Sequence, residues 1–203
     1  MIFLIVWLLL IGYTVFLTPS GSDPSPVALL TGDWDGIDAL VIVVFNTLGI
    51  FPMVFLTLLL LNDKQKWPAW PFALLSFVVG AFSLLPYFAF GDRPAKRPLR
   101  TPDWLYRIVS SRTWFALILL IWAGNFGILL RGFSLQAYAE AFQSSGLVAT
   151  MSVDWFVLWG LSIYTVHRFY PEAKSKVLAW VPVIGPILVL LVNRESLKRK
   201  YKA

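Results

Sequence analysis

FALLSFVVGAFSLLPYFAFGDRPAKRPLR, Phe72 to Arg100, is the stretch on which the fold turns. An apolar run closes in a burst of arginine, lysine and proline. Either the run crosses a bilayer and leaves the basic segment on the far side, or it dips in and returns. Its length suffices for a crossing. A turn inside hydrocarbon leaves backbone groups without partners, which also favours crossing. Pro71 suits the first turn of a helix, whereas Pro86 near the far end would kink or stop one.

The rest of the chain sets this run in context. Of its 203 residues 58% are hydrophobic and 14% charged, against roughly 25% charged in a soluble domain. The apolar residues come in continuous blocks, as membrane helices require, and not in the in-out alternation of a membrane barrel. The expected fold is an all-α, polytopic transmembrane bundle forming one domain over residues 1–203. Cysteine is absent, which removes disulfides, thiolate metal sites and cysteine nucleophiles. A single histidine rules out a histidine-rich metal centre. The net charge of +6 sits in loops and tail, where it reports membrane orientation and not nucleic-acid binding.

Six apolar blocks are legible. Ile2 to Leu17 lacks the basic start of a signal peptide and reads as a short retained helix. An acidic linker follows over 18–38, with Asp23, Asp33, Asp35 and Asp38 and no cation, and belongs on the non-cytoplasmic side. Ala39 to Leu61 is the second block, and the opening stretch is the third. The basic loop, 91–113, carries Arg93, Lys96, Arg97, Arg100, Arg107 and Arg112, with an interfacial helix expected at its end. Trp114 to Leu130 and Leu147 to Val166 are the fourth and fifth blocks. Between them a surface helix is expected, capped by Ser134 and stopped at Gly146. Val177 to Val192, interrupted by Pro182, Gly185 and Pro186, is the sixth, and 194–203 is a basic tail. No internal repeat or low-complexity tract is apparent.

Six crossings give no consistent positive-inside bias, because the basic loops then alternate sides. Four crossings, with the third and sixth blocks as proline-broken re-entrant hairpins, place nearly every cation on one face. The blocks' lengths favour six helices across the membrane, and their charges favour four.

Few side chains offer chemistry. Asp154 is the one carboxylate well inside a block, where an acid usually faces protein or water. It is read as a packing anchor paired with Arg131, or else as a proton or cation site. His167 suits a headgroup contact or a pigment metal, and Asn46 and Asn125 suit hydrogen bonds between helices or pigment contacts. Arg93, Lys96, Arg97, Arg100, Arg107 and Arg112 form a docking face for acidic partners or anionic lipid. Tryptophans near block ends give the aromatic-belt pattern. No nucleotide loop, zincin helix or nucleophile elbow is present, so an enzyme is disfavoured.

Two stretches, FNTLGIFPMVFLTLLLLNDKQKWPAWPFALLSFVVGAFSLLPYFAF and MSVDWFVLWGLSIYTVHRFYPEAKSKVLAWVPVIGPILVLLV, resemble a family of small uncharacterised membrane proteins of cyanobacteria and chloroplasts. The resemblance implies a thylakoid membrane and supplies no catalytic residues. The expectation is a non-enzymatic accessory or assembly subunit of a larger, photosynthetic membrane complex, with lipid or chlorophyll and carotenoid at a partner interface. The alternative is a small transporter or channel using Asp154.

Overall fold

The structure, a computed structural model, describes residues 1–91 and 98–195. Arg93, Lys96 and Arg97 of the expected docking face, and residues 196–203 of the basic tail, lie outside the described residues. Those described are all-helical. In chain order the helices are α1 (Ile2–Phe16), α2 (Pro26–Thr31), α3 (Ala39–Leu60), α4 (Ala69–Val79), α5 (Ala81–Phe90), α6 (Asp103–Val109), α7 (Arg112–Leu129), α8 (Leu135–Ser144), α9 (Gly146–Phe169) and α10 (Gly185–Val192), with a 3-10 helix at Lys176–Trp180. α3, α7 and α9 are long and apolar enough to cross a membrane. α1 is apolar but has 15 residues.

Asp38, Ser111, Ser134 and Ser145 each cap a following helix by accepting a backbone N–H two or three residues on. Such caps satisfy donors that the first helical turn leaves unpaired. α2, inside the acidic linker, was not foreseen. Its Ser25 cap and Pro26 start are ordinary entry signals.

The opening stretch is not one helix. It breaks at Gly80, whose φ of 53° and ψ of −132° lie where side chains with a Cβ are strained. α4 and α5 pack back to back. Ser83 donates to the carbonyl of Phe72 at 3.0 Å, and Tyr87 packs on Phe72 with ring centroids 5.3 Å apart. Trp67 and Phe90, at the two ends, lie with centroids 6.1 Å apart. The run therefore enters and leaves at one end of the molecule. Pro86 is not the breaking residue and sits inside α5. Proline has no N–H to offer the carbonyl four residues back. That carbonyl, of Phe82, instead accepts the Trp7 indole N–H at 3.0 Å.

The sixth block also folds back. The 3-10 helix descends, a turn with Val183 at φ 66° reverses the chain, and α10 returns. Asn193 closes this hairpin by accepting the N–H of Lys174 and donating to its carbonyl.

The order of elements recurs after 110 residues, although no internal repeat was apparent in the sequence. Ile2 and Arg112 begin α1 and α7, a spacing of 110 residues. Each half then runs surface helix, long helix, basic turn and hairpin. The same 110-residue spacing joins Lys64-x-Lys66-x-x-Ala69-Trp70 to Lys174-x-Lys176-x-x-Ala179-Trp180, where both alanines are fully buried. Packing follows this recurring order. α3 and α9 meet at the centre, α1 packs on α5 and α9, and α7 packs on α10 and α3.

The two ends of the bundle differ in charge. One end gathers residues 60–66, 100–112, 167–176 and 193–194. The ties are Thr101 to the Leu60 carbonyl, Arg100 to the Lys66 carbonyl, Asn62 to the Phe169 carbonyl and Arg194 to the Ser110 carbonyl. This basic end holds Lys64, Lys66, Arg100, Arg107, Arg112, Arg168, Lys174, Lys176 and Arg194. The opposite, acidic end joins the linker to α8 and α9. There the Asp38 carboxylate accepts the Ser134 N–H, and Asp23 accepts from Ser145 and Leu147.

Candidate functional site

The break at Gly80 creates the most distinctive polar feature. A helix that starts at Ala81 needs partners for its first N–H groups, and no side chain of its own hairpin caps it. Asp154, from the middle of α9, supplies one, accepting the Ala81 N–H at 2.9 Å. Asp154 is 6% exposed. A Cβ on Gly80 would overlap its carboxylate, so glycine is needed here for closeness as well as for φ.

Asp154 also lines a cavity of about 790 Å³, within the range of small-molecule sites. The walls come from α3 (Phe45, Asn46, Gly49), from the hairpin (Ser76, Phe77, Gly80) and from α9 (Thr150, Met151), with Leu29 and Leu30 of α2 beside them. Most of the lining is apolar. Asp154, Asn46, Thr150 and Ser76 are its polar side chains, and Asp154 alone is ionisable.

The predicted pairing of Asp154 with Arg131 is not formed. Arg131 is exposed beyond the end of α7, and the carboxylate is turned to the hairpin. The sequence signals an acid in an apolar block but not its partner, because a backbone N–H seventy-three residues away leaves no compositional mark.

Asn46 and Asn125, singled out separately, are brought together. They face one crevice of about 400 Å³ between α3 and α7. Asn125 is 6% exposed, and its amide N–H₂ donates to the carbonyls of Ile121 and Trp122. His167 is exposed near the basic end, with Nδ1 2.9 Å from the Ile163 carbonyl. A carbonyl only accepts, so Nδ1 is the donor of that contact. Arg100, Arg107 and Arg112 share the basic end.

Two further carboxylates were overlooked. Asp63 is buried at the mouth of the first hairpin, where it accepts the Ala69 N–H at 3.4 Å and caps α4. Burial pushes its carboxyl up from the ordinary value, against the opposing effects of that hydrogen bond and of Arg100. Asp23 is pulled the other way. The Ser145 hydroxyl, at 2.6 Å, and the Leu147 N–H, at 2.9 Å, hold it below its ordinary value. It fastens the linker to the start of α9.

No family model, curated protein or solved structure matches this chain. Among the described residues no cluster of three metal-ligating side chains occurs.

Proposed function

We propose that this protein is a small, non-enzymatic membrane transporter in which Asp154 couples an occupied cavity to the tip of a re-entrant hairpin. The observation carrying this reading is that one carboxylate both caps α5 and lines the 790 Å³ cavity. Broken helices meeting at a buried site are the usual transporter solution for placing polar groups within a membrane. A solute ammonium or hydroxyl, or a proton, competes with the Ala81 N–H for Asp154. Occupancy then changes how firmly the tip is held, and that differential is what a conformational change requires.

The topology that goes with this function has α1, α3, α7 and α9 crossing and both hairpins entering from the basic end. Charge segregation supports it, since the basic end faces the cytoplasm or stroma by the positive-inside rule. α1 reaches across by local thinning of the bilayer at its ends. We place the protein in a thylakoid membrane on the family resemblance alone.

A second reading, an accessory or assembly subunit of a larger photosynthetic complex, is favoured by one feature. α7 leaves Leu117, Leu120 and Ile121 exposed along one side, a face open to a partner helix or to pigment as well as to lipid.

The test uses purified protein in vesicles with an entrapped pH dye and an imposed proton gradient. Wild type should dissipate the gradient faster than empty vesicles, and Asp154→Asn should abolish the excess while unfolding near the wild-type temperature. Vesicles that hold the gradient like empty ones would end the proton-coupled reading. A large complex on a native gel would then favour the accessory role.

A further inference from the structure

The crevice between α3 and α7 is separate from the Asp154 cavity in chemistry, although Asn46 and Gly49 border both. Asn125 Oδ1 is buried without a hydrogen-bond partner. The amide cannot turn round to hide it, because both groups that the N–H₂ contacts are carbonyls. An acceptor left bare at this position costs on the order of 1–3 kcal/mol, so a donor from outside the chain is called for.

The lining specifies that donor. None of the crevice residues is charged, so the group that enters is neutral. A Cβ on Gly49 or Gly124 would meet nothing within 4 Å, so there is room beside both amides. Depth supplies the third constraint. At about 1.5 Å per residue, Asn125 lies roughly 6 Å inside the acidic end of α7 and Asn46 roughly 10 Å inside that of α3. Met53 and Ile121 line the same crevice deeper in. Apart from Ile128 at the mouth, the apolar lining thus lies toward the membrane's middle and the two amides toward its surface, the polarity of a lipid molecule.

We propose that the Asn46–Asn125 crevice binds one glycerolipid with an uncharged, hydroxyl-bearing head, the head donating to Asn125 Oδ1 and the acyl chains running inward over the exposed face of α7. The site depends on α3 and α7 crossing the bilayer, and not on transport.

The experiment exchanges purified protein into phosphatidylcholine nanodiscs containing equal fractions of monoglucosyl diacylglycerol and phosphatidylglycerol. Lipids retained after gentle resolubilisation are then counted by native mass spectrometry. Wild type should keep one monoglucosyl diacylglycerol per chain. Asn125→Leu should lose it at least tenfold. So should Gly124→Leu, which fills the crevice and keeps the amide, so the test survives if the first variant folds poorly. Equal retention by wild type and both variants would overturn the proposal. So would preference for phosphatidylglycerol unchanged by the variants, which would put the lipid at the basic end, or no retained lipid at all, which would leave only water in the crevice.

Discussion

Replacing Gly80 by alanine should be among the most damaging one-methyl changes in this protein. Its backbone conformation, φ 53° and ψ −132°, costs a residue with a Cβ about 1–3 kcal/mol. The added carbon also overlaps the Asp154 carboxylate, which must withdraw from the Ala81 N–H. Leaving that buried N–H unpaired costs about 1–3 kcal/mol. Together the two effects amount to roughly 2–6 kcal/mol, a large part of the 5–15 kcal/mol typical of a folded domain. At about 2–4 °C per kcal/mol for a chain of this size, the melting temperature should fall by roughly 4–24 °C. Gly32→Ala is the control, since Gly32 also has positive φ, at 85°, but a Cβ there meets nothing. It should cost only about 1–2 kcal/mol. Intrinsic tryptophan fluorescence during thermal unfolding in mild detergent reads both. The decisive comparison is Gly80→Ala in an Asp154→Ala background. With the carboxylate gone, only the backbone cost remains, so the two changes should fall short of additivity by about 2 kcal/mol, within the range for touching residues. Strict additivity, or equal losses for Gly80→Ala and Gly32→Ala, would refute the idea that Asp154 pins the hairpin tip.

Two other outcomes are expected. Single cysteines at Lys66, Arg107 and Lys174 should react with an impermeant maleimide from one side of sealed vesicles, and those at Asp35 and Glu140 from the other. Labelling of Lys66 and Arg107 from opposite sides would reinstate a straight crossing by the third block. Asp63→Asn should raise stability increasingly with pH. The native carboxyl titrates above its ordinary value, so its favourable contribution belongs to the protonated form and fades as pH rises through the native pKa. A variant whose advantage over wild type shrinks between pH 4 and pH 8 would contradict that account.

The sequence alone determined the material and most of the parts. Continuous apolar blocks made the chain helical and suited to a membrane, and the expected blocks match α3, α7 and α9 to within a few residues. The Ser134 cap announced α8. Asp154, Asn46 and Asn125 stood out because a polar group in an apolar block needs a reason. What remained open was direction. Length and hydropathy cannot distinguish a run that crosses from one that turns back, since both need the same apolar residues. Gly80, inside VVGAFS, was no more conspicuous than Pro86. Only the tertiary structure decided between them, because the turn at Gly80 is held by groups distant in the chain. Asp154 caps one arm, and the Trp7 indole satisfies the carbonyl that Pro86 leaves bare. The same holds for the pairing of the two halves and of the two asparagines. Each is a contact between helices whose sequences record their own burial and not the identity of the neighbour.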